Sequence, residues 1–179
     1  MTKFATPFAL LFLFAVTVGC GAQSETTIDS DLDASTIKFE RARFVLADEP
    51  PDAMTPTDAK ELATEPVEMV LAGRIDAGDI NPFQAGKATF MISELPDEEH
   101  AAGDPDHADN CPFCARRLAK APKAIVTFND KDGNAIEIDS QSLFDISKGD
   151  AVVVKGTVHY QEATNTLQVD ASGLHRRGS

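Results

Sequence analysis

Two alternating apolar runs, each interrupted by a glycine, restrict the folds open to this chain more than any other feature. Val67 to Asp76 (VEMVLAGRID) sets Val67, Met69 and Leu71 against Glu68 and Val70 before Gly73 breaks it, and Ala151 to Tyr160 (AVVVKGTVHY) repeats the device with Gly156. A period of two assigns strands. A glycine inside a strand marks a bulge or sharp bend, the means by which strands close a small barrel. Ala88 to Glu94 (ATFMISE) reads as a second strand with Phe90 and Ile92 on one face, and Ala124 to Asn129 (AIVTFN) as a third. Asp130 to Asn134 carries the turn chemistry of a hairpin leading into Ala135 to Asp139. Ser140 to Ile146 predicts about one helical turn, and Thr166 to His175 (TLQVDASGLH) closes the set. A chain of 179 residues holds one ordinary domain with terminal extensions. The predicted class is all-β with small α content, a five- to six-stranded barrel over 66–177 with an insert at 95–120. Val70, Phe90, Ile92, Ile125, Phe128, Val152, Val154, Val158 and Val169 are its expected core.

This order resembles the OB-fold, in which five strands close a small barrel and a helix or irregular stretch sits between the third and fourth. VLAGRID, ATFMISE and KGDAVVVKGTV followed by LQVDASGL carry the resemblance, which covers about Val67 to Leu174 and implies a fold, not a function. Many OB-folds bind oligonucleotides, which takes aromatic platforms and a basic groove. Here the only candidate platforms are Phe90, Phe128 and Tyr160, there is no Trp, and the formal net charge is −13. Phe90 and Phe128 alternate with apolar neighbours and read as core. Polyanions are repelled by such a charge, so no nucleic-acid partner is expected.

At the other end, residues 1–19 combine Lys3, an apolar run from Phe8 to Val18 and small terminal residues, the pattern of a secretory signal. The run is shorter than the roughly 20 residues of a membrane span. Loss of Lys3 with such a leader takes the net charge from −13 to −14. Thr17-Val18-Gly19-Cys20 resembles the lipobox of bacterial lipoproteins, with Thr17 where that pattern prefers Leu, Val or Ile. The resemblance implies diacylation of Cys20 and an anchor on the extracytoplasmic side of a membrane. Cysteine arithmetic agrees, because pairing Cys111 with Cys114 leaves Cys20 as the odd one of three. Residues 20–35, rich in Ser, Thr, Asp and Glu, read as a flexible tether. Over 36–65 a strand is expected at Thr36 to Ala47, from Ile37, Phe39, Phe44 and Leu46, followed by a short helix that starts at Thr55-Pro56-Thr57-Asp58 and packs on the barrel. The chain as a whole resembles exported OB-fold lipoproteins with a CPFC-type insert, a resemblance that implies no particular activity.

The chemistry concentrates in that insert. Leu95 to Lys120 spends about twenty-five residues between two strands, far more than a tight β connection needs. It holds two of the four histidines, His100 and His107, and two of the three cysteines, and three of these four residues fall in the run His107-Ala-Asp-Asn-Cys111-Pro-Phe-Cys114. The first reading is a metal site: Cys111 and Cys114 at CxxC spacing can bite one ion from a single turn, and His107 is expected to reach it from the same loop. His100 is the favoured fourth ligand, with Asp104, Asp106 and Asp109 as alternatives. Zinc and copper(I) both suit thiolates with imidazole. Two other readings stand beside the metal: a plain Cys111–Cys114 disulfide, as exported cysteines tend to form, and thiol exchange. CPFC resembles the glutaredoxin motif, and a helix over ARRLAKA would favour thiolates through its N-terminus and arginines, although no βαβ unit surrounds it. No catalytic residues are assigned. His159 and His175 fall in strand patterns and read as surface or core groups, and Arg176 and Arg177 as a solvated end. The expected function is a non-catalytic metal-binding or assembly module at the cell envelope, with an envelope protein as partner. A thiol-disulfide oxidoreductase or a structural disulfide in an interaction domain is the alternative.

Overall fold

The structure is a computed structural model, and it describes residues 34–95 and 110–178. Cys20, His100, His107, Asp104, Asp106 and Asp109, together with the leader and most of the tether, lie outside the described residues.

Five strands carry the fold: β1 Val67–Ile75, β2 Thr89–Ser93, β3 Lys123–Phe128, β4 Ala151–Gln161 and β5 Thr166–Arg176. They pair in the order β1-β2-β3-β5-β4, and β4 pairs back onto β1, so the sheet closes on itself. All pairings are antiparallel except β3 with β5, which makes the sheet mixed. β1 spends its length on β4, from Val67↔Val158 to Arg74↔Ala151, and meets β2 only at Arg74↔Ser93 and Ile75↔Ile92.

The two glycines do different work. At Gly73 the β1–β4 register runs through unbroken, so there is no bulge. A Cβ there would lie 2.7 Å from the Ser93 carbonyl oxygen and 3.0 Å from Ile92 Cδ1, so the glycine lets β2 cross close over β1. Gly156 sits at the register shift: Lys155 pairs with Gly173 and Gly156 with Ala171, which leaves Ser172 as the extra residue of a bulge. A Cβ at Gly156 would overlap the Asp170 carbonyl oxygen.

Inside the closed sheet lie Leu71, Ile75, Phe90, Ile92, Val126 and Phe128, all fully buried, with residues of β4 and β5 opposite them. Phe90, Ile92, Phe128, Val152, Val154, Val158 and Val169 take the core positions expected of them. Val70 and Ile125 do not, being only half-buried. In β1 the inward face is that of Met69 and Leu71, and in β3 that of Ala124, Val126 and Phe128, so Val70 and Ile125 fall on the outer face of a period-two strand. Ile125 lines a shallow groove with Phe83 and Met91 instead.

The Thr36 to Ala47 strand is overturned: this stretch is helix α1, Ala34–Phe44. Its less exposed positions are Ile37, Glu40, Arg41 and Phe44, the i, i+3, i+4, i+7 stripe of a helix. Glu40 and Arg41 occupy half of that stripe, which hides the helical period from a count of apolar residues. Phe39, placed inward by the strand reading, is 66% exposed. Only Val45, bridged in parallel to Leu174, makes a strand-like contact. Helix α1 plugs the sheet: Phe44 meets Phe128 edge-on at 5.0 Å between centroids and Phe144 at 6.5 Å.

Helix α2, Pro56–Leu62, starts as its sequence predicts. The Thr55 hydroxyl accepts from the Asp58 N–H at 3.1 Å, Pro56 fills the first turn, and Ala59 and Ala63 are buried. The Asp130–Asn134 turn also forms, with Asp130 Oδ1 accepting from the N–H groups of Asp132 (2.8 Å) and Asn134 (2.9 Å). It does not open a sixth strand. Asn129 and Ala135 form an isolated bridge. Ile136 and Ile138 are then drawn into the core, and the chain enters the one-turn helix Ser140–Phe144.

Candidate functional site

The CPFC motif opens helix α3, Pro112–Lys120, which delivers the chain from the insert into β3. Pro112 at the first helical position has its φ already set for a helix and no N–H to leave unsatisfied. Cys111 stands at the N-cap with an extended backbone (φ −94°, ψ 113°), and its carbonyl accepts from the Ala115 N–H at 2.9 Å. Cys114 falls one turn later, on the same face of the helix as Cys111. Cys111 is half-buried and Cys114 is 8% exposed. Both sulfurs therefore belong to the first turn, where unsatisfied N–H groups and the helix dipole favour negative charge.

The far end of α3 is tied to the sheet. Asn165, in the left-handed turn between β4 and β5 (φ 51°, ψ 44°), donates from Nδ2 to the Lys120 carbonyl at 3.3 Å. Its Oδ1 accepts from the Tyr160 hydroxyl at 3.0 Å and from Lys60 Nζ at 3.4 Å, while Lys60 lies 5.0 Å from the Tyr160 ring centroid. A chain of polar contacts thus joins α2, the β4–β5 turn and α3. At the insert's other end the Glu94 carboxylate accepts from the Thr57 hydroxyl at 2.6 Å, anchoring the exit from β2 on α2.

Of the four expected metal ligands, the structure describes Cys111 and Cys114 and brings them together. Among the described residues no group of three or more His, Cys, Asp or Glu gathers to hold a metal ion. His159 and His175 are half-buried on β4 and β5, and His175 Nδ1 lies 3.2 Å from the Leu46 carbonyl oxygen. The C-terminal arginines are engaged rather than merely solvated. Arg176 donates to the Asp145 carbonyl, and Arg177 pairs with Glu49 at 2.7 Å. The Arg177 guanidinium holds the Glu49 carboxyl below its ordinary range.

Two features of the site were not singled out in the sequence. One is the Asn165 tie, whose signal was the Asn-Thr pair in a turn that needs a left-handed residue. The other is the exposed Phe113 ring on α3, beside arginines that the sequence does place next to the thiols. Phe113, between the two cysteines, is 75% exposed, and the Arg116 guanidinium lies 5.4 Å from its ring centroid while Nε donates to the Pro112 carbonyl at 3.2 Å. Arg117 and Lys120 are exposed beside it. The chain matches no family model, no curated protein and no solved structure.

Proposed function

We propose that this is an exported lipoprotein of OB-fold type, held to a membrane through lipid on Cys20, whose Cys/His loop binds a zinc or copper(I) ion as a non-catalytic metal-binding or assembly module at the cell envelope. The observation that carries the reading is the placement of Cys111 and Cys114 in one helical turn with the more buried sulfur inside, which offers two thiolate ligands from a preorganised start. His107 and His100 are the proposed remaining ligands, close in sequence to that turn. The OB-fold assignment draws on five strands whose pairings close and on a short helix between the third and fourth.

Reduced protein should take up about one metal ion per chain, the stoichiometry of a four-ligand site. Replacement of both Cys111 and Cys114 by Ser should abolish uptake, and His107→Ala should weaken it more than His159→Ala. Full metal retention in the double variant would refute the reading. A second reading, thiol-disulfide exchange, draws on the position of Cys111 as the more exposed thiol at a helix N-cap with Cys114 behind it. Turnover of a protein disulfide by metal-free protein would favour it.

A further inference from the structure

Helix α3 presents a surface that its thiols do not require. From Asn110 to Asn129 the chain has no acidic residue and carries Arg116, Arg117, Lys120 and Lys123, in a protein of net charge −13. Phe113 is the most exposed of the large apolar side chains among the described residues. Its ring and the Arg116 guanidinium form one unit, since Arg116 is also held by the Pro112 carbonyl. An aromatic with an adjacent arginine, rimmed by further cations, has the composition of a binding hot spot. The Asn165 bond to the Lys120 carbonyl fixes the helix on the sheet, so the surface is preorganised and little ordering has to accompany binding.

We infer that the exposed face of α3 docks an acidic polypeptide segment bearing an apolar side chain, and that this docking brings the partner to the Cys111–Cys114 pair. The inference deepens the proposed function and rests on its reading of the two cysteines as the working groups. Charge complementarity selects the partner: carboxylates pair with Arg116, Arg117 and Lys120, and the apolar side chain covers Phe113. An anionic bilayer fits less well. Interfacial helices bury a continuous apolar face, whereas α3 offers one exposed aromatic and a half-buried Leu118. The net charge of −13 also repels an extended anionic surface, while a short segment samples the local basic field.

The test uses reduced, metal-free full-length protein and short synthetic peptides, each with one cysteine activated as a mixed disulfide with 2-thiopyridine. A protein thiolate attacks the peptide sulfur, forms a protein–peptide disulfide and expels 2-thiopyridone, so one disulfide replaces another with no net oxidation. A peptide with glutamates and leucine should react about tenfold faster at low salt than one with lysines and leucine, the lower end of electrostatic steering. Added salt should erode that preference. R116Q/R117Q should remove most of it, K131Q in the turn after β3 should leave it intact, and F113A should slow only acidic peptides that contain leucine. Equal rates for the two peptides, or a preference unchanged in R116Q/R117Q, overturns the inference. So does arginine-dependent binding to phosphatidylglycerol vesicles without any peptide preference, which would make the face a lipid contact. Zinc content of the same proteins is read separately. Lost zinc binding with retained preference sinks the metal reading alone, and the reverse result sinks only the docking surface.

Discussion

Gly156 and Gly73 show how much a single missing Cβ decides. A methyl at Gly156 would enter the Asp170 backbone, which belongs to a paired strand and cannot yield as a flexible side chain does. Gly156→Ala should therefore destabilise by about 1–3 kcal/mol, the range for forced overpacking, seen as a lower denaturant midpoint. Gly178→Ala, with nothing within 4 Å of the new methyl, should not. Glu49 makes the electrostatic counterpart. Its pKa is lowered from 4.5, chiefly by the hydrogen bond from Arg177. A depressed carboxyl contributes stability above its unfolded pKa and loses it as pH falls through the folded value. The advantage of wild type over Glu49→Gln should thus be present above pH 4.5 and shrink on acidification, measured by chemical denaturation across that range. The glycines were legible from the sequence as interruptions, but not their separate jobs. Which strand crosses which is a property of pairing order, and local pattern does not contain it.

Among the elements, those with one clean apolar face were legible and those whose buried face is mixed were not. β1 to β5 sit where alternation placed them, and α2 starts at the threonine and proline that mark it. In α1 the inward stripe includes Glu40 and Arg41, and the Arg41 guanidinium donates to the carbonyls of Leu143 (2.6 Å) and Ser142 (2.9 Å) at the end of the one-turn helix. A buried face completed by a hydrogen-bonded cation does not register in an apolar count. The consequence is a different boundary for the folded unit. From the sequence, a chain beginning near Thr64 should fold; in the structure Phe44 and Ala59 belong to the core, and Leu46 packs over Gly173. Truncation to Thr64 should leave an unstable product. Phe44→Ala alone should cost about 3–5 kcal/mol, as for large aromatics removed from cores, against near-neutral Phe39→Ala at a 66% exposed position. Equal midpoints for the two variants would remove α1 from the core.

At the scale of the whole molecule the closed sheet and the thiol turn are built from separate residues. The connected core runs from Phe44 to Leu174 through all five strands and includes neither cysteine, although Cys114 is itself buried. The helix that bears them is positioned by backbone continuity with β3 and by the Asn165 bond to Lys120. Chemistry can then be removed without removing the scaffold. Serine differs from cysteine by one atom and is compatible with the first turn of a helix. Cys111→Ser with Cys114→Ser should therefore keep the far-ultraviolet circular dichroism of the parent. Its unfolding free energy should fall by about 1–3 kcal/mol, the scale of a hydroxyl placed where the buried Cys114 thiol packs. Metal uptake by the reduced protein should vanish in the same variant, and in the parent it should weaken as the solution is acidified, because thiolates must lose protons to bind. Asn165→Ala should act in the opposite sense, retaining the proposed ligands while loosening the turn that bears them, and so weaken uptake without abolishing it. If the double serine variant instead unfolds, the CPFC turn is part of what holds the sheet closed, and its cysteines are structural.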